Sequence, residues 1–166
     1  MSYITLRTPT PGDLSLLQHW EKQPHVIAAV PNDYWAWEAE LQNPAAWREQ
    51  LIAELDDRPV GFLQIIDPAL EETHYWGEIE ENYRAIDIWI GEAEDLGKGY
   101  GTEMMRKAID RCFVDPKVYT IWIDPLESNK DAIRFYKRLG FEFVERRRFG
   151  QDECAVYRLE RINWKK

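Results

Sequence analysis

The sequence predicts an α/β fold: one domain over residues 1–166, with a mixed, mostly antiparallel central sheet flanked by helices. Three patterns carry that prediction. Two pairs of strand-like runs are joined by turn chemistry and read as hairpins, one early (50–55 with 60–66) and one late (141–147 with 153–159). Between them, Tyr83 to Ile90 alternates, with Ile86, Ile88 and Ile90 on one face and Asp87 and Trp89 on the other. Two stretches repeat at helical spacing instead: Met104, Met105, Ala108, Ile109 and Cys112, then Ala132, Ile133, Tyr136 and Leu139.

In chain order, Tyr3 to Arg7 alternates as a first strand. Thr10-Pro-Gly-Asp13 is a helix start, Leu14, Leu17 and Trp20 mark the buried face, and Pro24 ends that helix. Ala36 to Leu41 is a short second helix stopped by Asn43-Pro44. The early hairpin turns at Asp56-Asp57-Arg58-Pro59, and a long acidic loop runs from Asp67 to Asn82. After the alternating strand, a Gly-rich turn opens a helix that continues to Phe113, before the stop at Asp115-Pro116. Tyr119 to Ile123 is a strand closed by Asp124-Pro125. Ser128 or Asn129 caps the last helix, Gly140 stops it, and the late hairpin turns at Phe149-Gly150.

Composition narrows the function classes. The 166 residues are 45% hydrophobic and 31% charged, which fits a globular chain. No apolar run approaches the roughly 18 residues of a membrane span, and the first residues are too polar for a secretory signal, so the expected location is cytoplasmic without membrane association. Thirty acids against 21 bases give a net charge of -9, which argues against nucleic acid and suits a cationic small molecule. Cys112 and Cys154 read as core residues. The scattered His19, His25 and His74 form no ligand cluster, and no metal is expected.

The turn itself reads Glu94-Asp-Leu-Gly-Lys-Gly-Tyr-Gly-Thr102. Its spacing fits neither the dinucleotide fingerprint nor a P-loop. Glycines before a helix still let an anion approach main-chain N–H groups at the positive end of the helix dipole, and Lys98 adds charge. A tight turn that only packs helix on strand is equally compatible with the glycines alone.

Together with Asn129-Lys-Asp-Ala-Ile-Arg-Phe-Tyr-Lys-Arg-Leu-Gly-Phe141, this turn resembles the Gcn5-related N-acetyltransferase (GNAT) superfamily. Gly99 and Gly101 match the glycines of the family's pyrophosphate turn, with Leu96 where Gln or Arg is usual. The resemblance implies a sheet splayed between its fourth and fifth strands and acetyl-coenzyme A as co-substrate. It would set the pyrophosphate on Gly97, Lys98, Gly99, Tyr100, Gly101 and Thr102. The pantetheine would lie along Ile88, Trp89 and Ile90, with Asn129 bonded to it and Tyr136 as the acid near the sulfur.

The phrases RAIDIWI, DLGKGYGT and IWIDPLESN further resemble aminoglycoside 6'-N-acetyltransferases. That likeness implies Asp87 as the base and Asp124 as a contact to the amine-bearing substrate, by direct transfer in a ternary complex. Seven acids and one base, Arg84, between Asp67 and Asp87 also suit a cation, with Tyr75, Trp76 and Glu78 as substrate contacts. The leading expectation is acetyl transfer to a primary amine of a cationic small molecule, aminoglycosides included. Two alternatives are an acyltransferase acting on a hydroxylysine-type amine and a non-catalytic acetyl-coenzyme A sensor. A monomer or homodimer is expected.

Overall fold

The computed structural model describes residues 3–164, and among these seven strands form one sheet in the order β1-β2-β3-β4-β5-β7-β6. The strands are β1 (Ile4–Arg7), β2 (Arg48–Leu55), β3 (Arg58–Ile66), β4 (Tyr83–Ile90), β5 (Thr120–Ile123), β6 (Glu142–Phe149) and β7 (Asp152–Glu160). The helices are α1 (Leu14–Glu21), α2 (Pro24–Ala29), α3 (Trp37–Gln42), α4 (Tyr100–Phe113) and α5 (Lys130–Arg138). All neighbours pair antiparallel except β4 and β5. The segment between Ile66 and Tyr83 carries no helix or strand, as expected of the acidic loop.

The early hairpin is tighter than its sequence suggests. Asp56 and Asp57 both take positive φ (50° and 67°), and Leu55 pairs directly with Arg58. Two left-handed residues complete a turn whose twist matches the strands, so Arg58 and Pro59 belong to β3. The proline is tolerated because the β2–β3 register shifts at Ala53/Glu54 and β4 pairs with β3 only from Gly61 onward. Pro24 also corrects an expectation. Besides following α1, it opens α2 as that helix's first residue, where a missing N–H costs nothing.

Packing buries both faces of the central strands. Leu51, Ala53, Leu63, Ile65 and Ile86 face α4 and α5, whose Met104, Met105, Ala108, Ile109 and Ile133 fill the larger core. The alternate residues Ile52, Phe62 and Trp89 meet Leu17, Trp20, Val26 and Trp37 from α1–α3. Strands covered on both sides read as near-continuous apolar runs, which makes the polar Gln64 inside VGFLQII conspicuous. A third cluster of Trp76, Ala85, Phe149, Cys154 and Val156 anchors the acidic loop.

The feature that positions the site is a short parallel seam. β4 and β5 pair only over Tyr83–Ala85 with Thr120–Trp122, while β4 continues to Ile90 beside β3. Beyond Ala85 the strands part, and one edge of β4 is left without a sheet partner. The expected splay between the fourth and fifth strands is this opening.

Candidate active site

A cleft of about 600 Å³ opens on the α1–α3 side of the splay, and Asp87, Asp124, Asn129 and Tyr136 all line it. Asp87 reaches it because strand alternation turns it away from Ile86 and Ile88. Its cross-strand partner Gln64 points the same way and donates from Nε2 to Asp87 Oδ2 at 2.8 Å. Asp124 follows β5 and accepts a hydrogen bond from the Tyr75 hydroxyl. Tyr136 comes from the buried face of α5, between Phe135 and Phe141.

Burial and like charge govern the electrostatics. Desolvation holds the Asp87 carboxyl above the ordinary range, and the Gln64 hydrogen bond opposes the rise. Asp124 is raised well above it, first by burial and then by the charge of Asp87, with Tyr75 pulling the other way. Burial, then Asp87 and Asp124, raises the Tyr136 phenol, so it stays protonated through ordinary pH. Asp33 lies exposed at the mouth, where desolvation and then the charges of Asp87 and Asp152 raise its carboxyl. Since water reaches that side chain, the neighbouring charges are the cause that carries weight there.

Five acids (Asp33, Glu71, Asp87, Asp124, Asp152) and one base, Arg48, line the cleft. Arg48 is engaged by Glu40 at 3.2 Å. Glu71 is committed to its own loop, accepting from Thr73 and from the Tyr75 N–H. Of the remaining carboxyls, Asp87, Asp124 and Asp152 accept only from the neutral Gln64, Tyr75 and Asn32, which leaves an uncompensated field for a cation.

This crowding has a consequence for stability. A carboxyl whose folded pKa is raised stabilises the fold most fully below its unfolded pKa, and that contribution is lost as pH rises through the folded value. Asp124→Asn keeps an oxygen for Tyr75 and removes the charge. Its melting temperature is expected to exceed wild type at pH 8, by about 2–4 °C per kcal/mol recovered at this chain length. The gap should close near pH 3.5, below the ordinary carboxylate value of about 3.9. A variant less stable than wild type at pH 8 would show that the charge is compensated.

The glycine turn sits at the far end of β4. Gly97 and Gly99 take φ of 72° and 84°, and a Cβ at either would meet nothing within 4 Å. Backbone conformation therefore selects these glycines, and the space in front of them is open. Gly99 caps α4, and the N–H groups of Tyr100, Gly101 and Thr102 lie in its unpartnered first turn. Lys98 is exposed beside them. These features fit a pyrophosphate.

The open strand edge fits an amide-bearing arm. The Gly91 N–H donates to the Val60 carbonyl, which fixes the alternation along β4. Ile86, Ile88 and Ile90 thus aim their backbone groups toward the splay, whereas those of Trp89 face β3. The Ile90 carbonyl is already held by His25 Nε2 at 2.7 Å. Of the three strand residues named from sequence, Ile88 alone keeps both groups free, and Trp89 contributes its ring to the aromatic cluster. Asn129 caps α5 through Oδ1, accepting from the Ala132 N–H at 3.1 Å, so its amide NH₂ remains for a ligand.

The other residues named from sequence divide. Tyr75 and Trp76 line the cleft, with Tyr75 stacked on Phe149 at 4.5 Å and Trp76 buried. Glu78 is exposed and lies outside the lining, because the loop turns its Glu71 end inward instead. Sequence reading missed Asp33, Gln64 and Asp152. Gln64 carried the same signal as Asp87, a polar residue interrupting an apolar strand. Asp33 and Asp152 lie in loop and turn settings where acids are common, and folding alone brings them to one mouth.

Comparison with known proteins bears on the family and the fold. The acetyltransferase (GNAT) domain family matches residues 10–149. Aminoglycoside N(6')-acetyltransferase type 1 of Klebsiella pneumoniae is 32% identical over 153 residues, covering 84% of this chain and 74% of that protein. A kanamycin resistance protein of Rhizobium radiobacter is 42% identical over 74 residues, 44% of this chain and 68% of that protein. The crystal structure of aminoglycoside acetyltransferase AAC(6')-Ib with coenzyme A and kanamycin superposes with a TM-score of 0.86 at 29% identity, over 97% of this chain and 96% of that one. Among the described residues no helix is long and apolar enough to cross a membrane, and no group of three or more His, Cys, Asp or Glu is placed to hold a metal ion.

Proposed function

The chain belongs to the GNAT acetyltransferase family and is an acetyl-coenzyme A-dependent N-acetyltransferase, and we propose that its acceptor is the 6'-amine of an aminoglycoside. The observation that carries the acceptor class is the cleft lining: five acids against one base that is already paired. A polycation entering there meets Asp33 and Asp152 at the mouth and Asp87 and Asp124 within. Its charge relieves their mutual repulsion and favours their ionised forms.

Bound acetyl-coenzyme A supplies an acetyl group activated as a thioester. The chain's own residues then have four tasks. Main chain from Gly97 to Thr102 holds the phosphates, and Ile88 with Asn129 orients the arm. Asp87 takes a proton from the acceptor ammonium, which frees the nitrogen pair that attacks the acyl carbon. A carboxyl raised by burial is a stronger base than one in water and suits this task. Tyr136, kept protonated by burial, would donate its hydroxyl proton to the thiolate as the acyl C–S bond breaks and the C–N bond forms, and the proton that the new amide nitrogen sheds restores the phenol.

Neither alternative finds support in the cleft. Acyltransferases of hydroxylysine-type amines tend to set a histidine beside the aspartate, and no histidine is among the cleft's lining residues. A sensor has no need for a base and an acid in one cleft. The test is thiol release from acetyl-coenzyme A with kanamycin, compared with a zwitterionic amino acid. Turnover with kanamycin is expected, with a KM that rises with salt as the acidic field is screened. No turnover with any aminoglycoside would sink the acceptor assignment.

A further inference from the structure

Gln64 stands out in the cleft lining by what it lacks. All but 5% of its surface is buried. Its Nε2 donates to Asp87 Oδ2 at 2.8 Å, yet its Oε1 has no partner. Every other buried side-chain polar atom left without a partner among the described residues is an indole N–H. The orientation of the amide follows from its neighbour, since an ionised carboxylate accepts only and must be met by the NH₂ side. Oε1 and Nε2 share one planar carbon, so the orphan acceptor sits next to the nitrogen that holds Asp87, closed to water in the free protein, on a side chain that lines the cleft together with Asp87.

We propose that Gln64 is a positioning residue for the acceptor amine: its Nε2 holds the Asp87 carboxylate, and its Oε1 accepts an N–H from the ammonium that Asp87 deprotonates. This rests on Asp87 being the base. A primary ammonium offers three N–H donors. One points at Asp87 and leaves as the proton, and a second stays on Gln64 Oε1. The neutral amine is thereby kept in a fixed orientation after the proton has gone. No covalent bond to Gln64 is made or broken. An unsatisfied buried carbonyl oxygen is costly in the free protein, and a donor brought by the substrate removes that cost only when it binds.

The groups facing Asp87 are Gln64 from β3, Asp124 beyond β5, Asp33 from the α2–α3 loop, Tyr75 from the acidic loop and Tyr136 from α5. Gln64 is the one that pulls the Asp87 carboxyl down, so its loss moves the acid limb of activity to higher pH.

Two variants separate the halves of the role. Gln64→Met keeps the shape and removes both hydrogen bonds, whereas Gln64→Glu keeps an acceptor oxygen and removes the donor. Kanamycin binding would be measured by calorimetry with coenzyme A present. The Asp87 carboxyl would be titrated by ¹³C NMR in the free protein, which requires no acceptor. For Gln64→Met, kanamycin should bind about tenfold more weakly, the scale of one hydrogen bond to a charged group, with coenzyme A affinity unchanged and the Asp87 titration moved up. For Gln64→Glu, the titration should move up further while kanamycin affinity above that limb stays near wild type. A glutamine that only holds Asp87 would move the titration and leave kanamycin affinity unchanged. Wild-type kanamycin affinity in a folded Gln64→Met overturns the inference. If that occurs while Asp87→Asn is inactive, the base assignment stands without it. Full turnover by Asp87→Asn removes the base assignment and the Gln64 role together.

Discussion

Asp87→Asn is expected to lower kcat/KM for kanamycin by about 10²–10⁴-fold, the usual contribution of a positioned general base, with coenzyme A affinity unchanged. The substitution is close to isosteric, and Gln64 can still bond the new amide oxygen through Nε2. The residue touches neither the glycine turn nor the backbone groups of Ile88 that would hold the coenzyme. What disappears is a buried carboxylate able to take the ammonium proton. Wild-type activity should fall as pH drops through the raised Asp87 value, above the ordinary carboxylate range, because protonation removes the base. The residual activity of Asp87→Asn should instead climb steadily with pH, as hydroxide and the free amine population take over. Single-turnover measurement with saturating acetyl-coenzyme A would separate this from a binding defect. Wild-type rates would remove Asp87 from proton transfer.

The second large effect is expected at Tyr136. Tyr136→Phe removes one oxygen and leaves the ring between Phe135 and Phe141, so the melting temperature should change little. Turnover should drop about 10²-fold or more, as expected for loss of a general acid. Because burial and the two aspartates raise the phenol, a basic limb due to Tyr136 belongs above the ordinary phenol value in wild type and should be absent from the variant. A more acidic leaving thiol needs less help. An acyl donor of that kind should therefore narrow the gap between Tyr136→Phe and wild type, and an unaltered gap would point to a packing role.

Most of the frame is local and was legible in the sequence. β4 alternates strictly, and α4 and α5 carry apolar stripes at helical spacing, so their positions follow from near neighbours alone. The glycine turn was legible for the same reason, since positive φ at Gly97 and Gly99 is a demand of the turn itself. The mouth of the cleft was not. Asp33 and Asp152 are far apart in the chain, and they meet because the α2–α3 loop and the β6–β7 turn close over the same opening. Asn32 Nδ2 bonds Asp152 Oδ1 at 2.6 Å there. Gln64 lay between these extremes. Its polarity inside β3 was visible, but its pairing with Asp87 depends on the β3–β4 register, which no local pattern states. Glu78 shows the reverse case. Acid density marked the loop as cation-facing, yet density does not tell which acids turn inward, and that is settled by Trp76 packing against Phe149 and by Arg147 donating to the Trp76 carbonyl at 3.1 Å.

The most direct measurement of the central claim is the structure of the product. Kanamycin incubated with acetyl-coenzyme A and the purified protein would be isolated and its acetyl position assigned by NMR. Monoacetylation at the 6'-amine, absent with Asp87→Asn, is the expected result. Unmodified kanamycin, or an acetyl group on a different amine, would contradict it.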